Sequence, residues 1–221
     1  RADGFAVELL RRTLQAMGRE VRFETGPWSE VRSLLVNRKI QVLPLVGRTP
    51  EREGQFDFTF PYMTMHGAII VRAGNDDEIR SLADLEGRQV AVMAGDNAEE
   101  FLRRSGGFVS IATTASSLQA LEELAAGKHD AVVMQKLLAV QLMHRHGLDR
   151  LRIAGPPLEE FEQSFCFAVA EGDAELLSLL NEGLSLVIAD GTFAHLRRTW
   201  FGQLENPPHS RILIGGDFNY P

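Results

Sequence analysis

Helix and strand patterns alternate through most of this chain, and this alternation restricts the possible folds more than any other feature. Apolar residues at helical spacing follow residue 5, and the valine-rich runs 89–93 and 131–134 have the composition of buried strands. A chain that alternates in this way forms an α/β fold whose strands pair largely in parallel. We therefore expect mainly parallel sheets flanked by helices.

The predicted elements fall into two series. The first contains a helix from residue 5 to a stop at Gly18, a short strand at 21–23, a helix from residue 28 and a buried strand at 40–45. The second contains a short helix at 82–87, strands at 89–93 and 131–134, and helices at 99–104, 116–126 and 135–146. Two long helices, at 174–189 and 192–201, complete the pattern.

Two apolar strands, at residues 67–71 and 165–169, fit neither series and bracket the second one. A chain that crosses once into a second lobe and once back would show this arrangement. We therefore expect lobe 1 to contain residues 1–72 and 164–221, and lobe 2 to contain residues 73–163. Ligands of open α/β sheets bind outside the carboxyl ends of the strands, so the predicted site is the cleft between the lobes.

Composition excludes some functions. The net charge is −7 and the basic residues are scattered, which argues against binding to nucleic acid or to an anionic membrane surface. Cys166 is the single cysteine and lies in an apolar run, so we expect a buried thiol and no intrachain disulfide. We find neither a run long enough to span a bilayer nor a signal peptide. If the protein is exported, we expect this chain to be either a trimmed form or an internal piece of a longer one.

Five runs of the sequence resemble, in order and spacing, the motifs of bacterial family 3 solute-binding proteins. They are GFAVELL at 4–10, GRTPER at 47–52, FDFTFPY at 56–62, LADLEG at 82–87 with VAV at 90–92, and DAVV at 130–133. The resemblance implies a two-lobed clamshell of the type II periplasmic-binding-protein class, with two crossing hinge strands. It also implies an extracytoplasmic protein without catalytic residues or cofactor.

One run that resembles the family is out of order. Residues 211–221, RILIGGDFNYP, are similar to the opening strand and turn of the family, which precede the first helix there but end the chain here. They either begin a second, tandem domain, as in sensor kinases with paired clamshells, or supply a rearranged first strand. Because an empty strand position leaves backbone groups unpaired, we expect residues 211–215 to pair into lobe 1, within the chain or by strand swapping in a dimer.

Arg52 is the first candidate for ligand binding. Its guanidinium can hold a carboxylate through two hydrogen bonds, and the resemblance assigns this role to the arginine of the T-x-E-R run. The alternative is a solvated arginine paired with Glu51 or Glu53. The resemblance also places Trp28 and Tyr220 as aromatic walls of the site, although a core position is an equal alternative for Trp28 on its pattern alone.

The turn Gly95-Asp96-Asn97 lies at the start of a helix. Free backbone N–H groups there can bind a carboxylate, and capping by Asp96 or Asn97 is the alternative. An acidic side chain at residue 96 would repel an anionic ligand.

Three further positions depart from the amino-acid-binding members of the family. Gln135 stands where many of them carry an acidic residue for the ligand ammonium, and Leu45 and Gly47 replace residues with hydroxyl groups. We include all three in the predicted site. The departures weaken the expectation of a routine amino-acid ligand and leave a small carboxylate-bearing ligand.

Histidines offer no second site. His144 and His146 lie two apart on a predicted helix and therefore point in different directions, and we expect no bound metal. Phosphate-binding and dinucleotide-binding glycine motifs are also missing from the sequence.

Three functions are compared on this basis. The first is the small-molecule-sensing domain of a membrane-anchored receptor, most naturally a sensor histidine kinase, at the extracytoplasmic face of the inner membrane. The second is the solute-binding component of an amino-acid transporter. The third is an enzyme of the dehydratase or cell-wall lyase type, which the sequence supports least because it lacks a clear pair of acid and base carboxylates.

Overall fold

The computed structural model describes residues 2–74, 79–106 and 109–205. The described residues of Arg1–Gly26 and Asp173–Pro221 form one compact unit, and those of Pro27–Gly172 form the other. The lobe boundaries expected from the sequence stay a prediction. The segment 211–221 and its predicted pairing lie outside the described residues.

The described chain contains helices and strands in the order that an α/β fold requires. The helices are α1 (Phe5–Ala16), α2 (Trp28–Val36), α3 (Pro50–Glu53), α4 (Asn97–Arg104), α5 (Ser117–Ala125), α6 (Lys136–His146), α7 (Ala174–Ala189) and α8 (Thr192–Glu205), with a short 3₁₀ helix at Ala83–Leu85. The strands are β1 (Val42–Gly47), β2 (Phe56–Phe58), β3 (Met63–Arg72), β4 (Gln89–Met93), β5 (Ser110–Thr114), β6 (Ala131–Gln135) and β7 (Leu151–Ala170).

The first unit is helical. The apolar face of α1 contains Leu9 and Leu10, which are fully buried. Helix α7 approaches α1 closely at Gly183, where an added Cβ would lie 2.5 Å from the carbonyl oxygen of Thr13. Near the start of α1, the ring of Phe5 packs against Phe201 of α8, with 4.9 Å between the ring centroids.

The second unit is built on one mixed sheet. Its strands follow the order β1–β7–β3–β6–β4–β5, and β2 pairs with β7 as well. The parallel pairing expected from the alternating pattern is confirmed for β5–β4–β6, whereas β1, β2, β3 and β7 pair antiparallel. The carboxyl ends of β4 and β6 therefore meet at one edge, from which the turn at Gly95 and residue Gln135 emerge.

The two strands predicted to cross between lobes are neighbours. They are the long β3 and the 20-residue β7, which pair antiparallel from Met63 opposite Phe165 to Arg72 opposite Leu151. The register shifts near Gly67, and Gly155 lies within that shift with a φ of 68°. A Cβ on Gly155 would collide with the carbonyl oxygen of Arg80, so only glycine fits there.

Two details of the sequence prediction need correction. The strand expected at residues 21–23 is wrong, because residues 19–27 have no regular secondary structure and none of the described strands pairs with them. The strand expected at 40–45 begins two residues later, as β1, since a turn at residues 37–41 follows α2.

Helix α4 is fixed to the sheet by a buried apolar cluster. Its Ala98, Phe101 and Leu102 pack on the sheet face that carries Val92 and Val133. Phe101 also stacks on Phe161 of β7, with 4.4 Å between the centroids and 7° between the planes. This packing sets the position of the N-terminal turn of α4, where the candidate site begins.

Among the described helices, no single one has the length and apolar character needed to cross a membrane. One bent pair, Ala174–Ala189 with Thr192–Gly202, passes that test by length and composition only.

Candidate functional site

Arg52 lies at the centre of a buried polar cluster in the second unit. Helix α3 begins after Thr49, with Pro50 at its first position, and carries an Arg52 that is 2% exposed. The guanidinium donates hydrogen bonds to the carbonyl oxygens of Gly47 and Gly95, each at 3.2 Å. It also lies 5.1 Å from the centre of the Trp28 ring, a distance suited to a cation–π contact.

The remaining partner of Arg52 is a carboxylate from α4. Glu100 accepts a hydrogen bond from Arg52 Nε at 3.0 Å on Oε1, and one from Thr49 Oγ1 at 2.8 Å on Oε2. Both oxygens of this carboxylate are therefore bound. One N–H of the guanidinium and a neighbouring hydroxyl together hold it, as they would hold a free carboxylate.

The alternative of a solvated Arg52 paired with its sequence neighbours is wrong. Glu53 pairs with Arg48 at 2.7 Å, and Glu51 pairs with Arg104 at 2.6 Å. These pairs are exposed, whereas the Arg52–Glu100 pair has side-chain exposures of only 3% and 13%.

Trp28 and Gly95 join the same cluster. The indole nitrogen of Trp28, at the start of α2, donates to the carbonyl oxygen of Gly95 at 2.9 Å. Gly95 has a φ of 70°, and its N–H donates to Glu99 at 2.7 Å. This N–H is therefore occupied by a side chain of α4.

The two residues after Gly95 have different environments. Asp96 caps α4 by accepting a hydrogen bond from the N–H of Asn97 at 2.8 Å, as the capping alternative predicted. Asn97 is 2% exposed, and its Oδ1 has no hydrogen-bond partner among the described residues. A buried oxygen without a partner is destabilising unless a ligand or water completes it.

Gln135 is the second side chain with unpaired buried polar atoms. It is 4% exposed, and neither its Oε1 nor its Nε2 has a partner within the described chain. Strand alternation places its side chain on the face of Val133, which α4 covers. Asn97 and Gln135 therefore lie on the same face of the sheet, at the carboxyl ends of the adjacent strands β4 and β6.

Gly47 leaves space for Asn97. A Cβ on Gly47 would lie 2.9 Å from Asn97 Nδ2 and 3.0 Å from Cγ of Gln163, so a side chain there would displace both. Gln163 is itself buried and donates to the carbonyl oxygen of Arg48 at 2.6 Å. Leu45, earlier on β1, is 42% exposed.

The structure thus joins part of the predicted site and adds to it. Direct contacts join Arg52, Trp28, Gly47 and Gly95, while Tyr220 lies outside the described residues. Sequence analysis missed Thr49, Glu100 and Gln163. The spacing of Glu100, four residues after Asp96, was the available signal, since it places both acids on one face of α4.

The pKa of Asp96 gives a pH-dependent test of this cluster. Burial raises the pKa above its ordinary value of 3.8, and the N–H of Asn97 and the charge of Arg52 oppose the shift only in part. The ionised form therefore destabilises the fold at neutral pH. We expect Asp96→Asn, which keeps the capping oxygen, to increase the free energy of unfolding at neutral pH, with a gain that disappears below pH 3.8.

Urea unfolding at a series of pH values would measure this difference. Asp84 is the control of opposite sign, because hydrogen bonds from Arg80 and Ser81 lower its pKa. Its contribution to stability is present at neutral pH and is lost as the pH falls through that lowered pKa, so Asp84→Asn should destabilise at neutral pH. A gain from Asp96→Asn that does not change with pH would contradict the assignment.

The sequence of this chain is similar to sequences of known proteins. Residues 1–203 match the family model of bacterial extracellular solute-binding proteins, family 3. The chain is 28% identical over 200 residues to the L-cystine-binding protein TcyJ of Escherichia coli (strain K12), covering 90% of this chain and 74% of the relative.

Two solved structures support the same conclusion. A histidine kinase sensor domain with similarity to periplasmic binding proteins is 32% identical, covers 90% of this chain and 86% of its own, and superposes with a TM-score of 0.83. An ancestral arginine-binding protein bound to arginine is 30% identical, with 90% and 88% covered and a TM-score of 0.81. These similarities confirm the predicted fold class, and the relatives are binding proteins rather than enzymes. The chain belongs to the family 3 bacterial extracellular solute-binding proteins.

Proposed function

We propose that this chain is the extracytoplasmic ligand-binding domain of a sensor histidine kinase, and that it closes on a small ligand with a carboxylate. The observation that carries the proposal is the buried Arg52, whose guanidinium already holds one carboxylate with the help of Thr49. Similarity to a histidine kinase sensor domain supports the sensor role over the other roles of the family.

The geometry around Arg52 suits a carboxylate more than any other group. The two backbone carbonyls of Gly47 and Gly95 fix the plane of the guanidinium, and Trp28 covers one face of it. A guanidinium fixed in this way loses little entropy when it binds a planar anion. A ligand carboxylate would take the place that Glu100 occupies.

The unpaired amides suit the other end of such a ligand. Asn97 Oδ1 and Gln135 Oε1 are two buried acceptors, and Gln135 Nε2 is a buried donor. An ammonium group donates up to three hydrogen bonds and would satisfy both acceptors, and an amide or hydroxyl group would satisfy one acceptor and the donor. An amino acid or a related carboxylate combines both ends.

The second candidate is a solute-binding protein that delivers an amino acid to a transporter. Similarity to the L-cystine-binding protein and to the ancestral arginine-binding protein favours it. It uses the same site and differs in its partner.

Binding is tested by thermal unfolding with single L-amino acids, L-cystine, dicarboxylates and amines. A ligand at about 100 times its Kd stabilises the folded state by about 2.7 kcal/mol. We expect stabilisation only by compounds with a carboxylate. Stabilisation by amines alone would overturn the assignment of Arg52, and a panel without any effect would overturn the proposed ligand class.

Gln135→Leu tests the amide end of the site. Leucine removes two buried polar atoms without partners and adds an apolar side chain of similar size, so we expect the ligand-free protein to be as stable as wild type or more stable. The same change should remove most of the stabilisation by the ligand. Gln141→Leu, on the exposed face of α6, is the matched control and should leave the ligand response unchanged.

The sensor and transporter roles are separated in the intact gene product. With the compound found in the panel, a sensor kinase in membranes should change its rate of autophosphorylation. A transporter component should instead be required for uptake of the same labelled compound by cells.

A further inference from the structure

Glu100 binds the Arg52 guanidinium, which is the group that the proposed function assigns to the ligand carboxylate. Its two oxygens are bound to Arg52 and Thr49, and its side chain is only 13% exposed. No other acid among the described side chains forms an ion pair with Arg52. The site therefore holds a carboxylate that belongs to the chain itself.

The carboxylate comes from a rigid element. Glu100 lies on α4, next to Phe101, whose ring stacks on Phe161. Two further contacts join α2 and α3 to α4 and the turn before it, from Trp28 to Gly95 and from Arg104 to Glu51. The Arg52–Glu100 pair is the buried member of this set of contacts, and it bridges α3 and α4.

We propose that Glu100 is a tethered competitor for the ligand carboxylate, which holds α3 against α4 in the absence of ligand and lowers the affinity of the site. This inference rests on the proposed function, because it assumes that a free carboxylate binds at Arg52. A tethered group competes at an effective concentration in the millimolar range, so a ligand must displace it before it can bind. Glu100 thereby sets the ligand concentration to which the domain responds.

Glu100→Gln tests the competition directly. Glutamine has the same shape but no charge, so Arg52 becomes available to a free carboxylate. We expect carboxylates from the ligand panel to bind about tenfold more tightly to this variant, which corresponds to about 1.4 kcal/mol. Sodium propionate is a second probe and propionamide is its neutral control, and only propionate should stabilise Glu100→Gln.

The outcomes separate this inference from the proposed function. Tighter binding by Glu100→Gln supports the competitor, and unchanged or weaker binding overturns it while leaving the ligand class in place. If the wild type binds nothing but the variant gains propionate binding, the competitor stands and the proposed ligand does not. If neither protein binds a carboxylate, both are overturned.

Two further variants serve as a control and as an alternative for this test. Glu53→Gln removes an exposed acid beside Arg52 that pairs with Arg48, and should change the affinity little. Glu100→Asp keeps the charge but withdraws it by one methylene. It should also tighten carboxylate binding, which keeps the inference testable if the glutamine variant does not fold.

The bridge between α3 and α4 can be measured without a ligand. Spin labels at Val36→Cys, at the end of α2, and Lys128→Cys, after α5, would report the distance between these two positions, since both are exposed. Burial raises the pKa of Cys166 to about 11, so the native thiol should not take up label. Without ligand, the distance distribution should be narrow in wild type and extend to longer distances in Glu100→Gln. Identical distributions would contradict a bridge that holds α3 against α4.

Discussion

The variant Gly67→Ala should unfold with a free energy about 3 kcal/mol below that of wild type. An added Cβ would lie 2.7 Å from Cγ of Phe161 and closer still to its Cδ1. A small shift of the Phe161 ring would not relieve this overlap. Phe161 cannot retreat easily, because it is 2% exposed and stacks on Phe101 of α4. Urea unfolding of the two proteins measures the difference.

Gly54→Ala is the matched control for this prediction. Gly54 has a φ of −84°, which alanine adopts without strain, and the described residues beyond its chain neighbours place no atom within 4 Å of the added Cβ. We expect its effect to stay within about 0.5 kcal/mol. Replacing Phe161 by leucine should recover part of the stability lost by Gly67→Ala, and equal stabilities of the Gly67 and Gly54 variants would contradict the close packing.

The same substitution should also disturb the candidate site. Phe101 belongs to α4 and stacks on Phe161, so a shift of the Phe161 ring would shift α4. The same helix carries both Asn97 and Glu100. A displaced ring would therefore move the carboxylate that Arg52 holds.

Local patterns were sufficient to predict the elements with regular periodicity. The strand β4 and the helix α7 have the predicted bounds, because valine-rich runs and helical apolar spacing are properties of adjacent residues. The length of β7 was not predictable. The strand continues through Pro156 and Pro157, which are tolerated because they lie at the shift in register with β3.

Local sequence patterns predicted only part of the candidate site. Arg52 was found because the T-x-E-R run resembles a family motif. Glu100 was not, since an acid in the first turns of a helix usually indicates a solvated surface. Only the tertiary pairing of α3 and α4 brings these two residues together, although 48 positions separate them in the sequence.

Removal of the Arg52 side chain is the substitution expected to destabilise the site most. Arg52→Met should reduce the free energy of unfolding by about 3–5 kcal/mol, because it leaves the largely buried Glu100 carboxylate without its charged partner and with only the Thr49 hydroxyl bound to it. It should also abolish the carboxylate response of the ligand panel. In the Glu100→Gln background the same change should reduce stability less, since no charge is left uncompensated.

Arg48→Met distinguishes a buried pair from an ordinary one. Arg48 pairs with Glu53 at 2.7 Å, a shorter distance than the 3.0 Å between Arg52 and Glu100. The side chains of Arg48 and Glu53 are nevertheless about half exposed. Exposed pairs contribute about 0–1 kcal/mol, so burial and not distance should decide the outcome. If Arg48→Met and Arg52→Met reduced stability equally, the Arg52–Glu100 pair would be an ordinary surface contact, and neither its role as a ligand site nor the competition by Glu100 would stand.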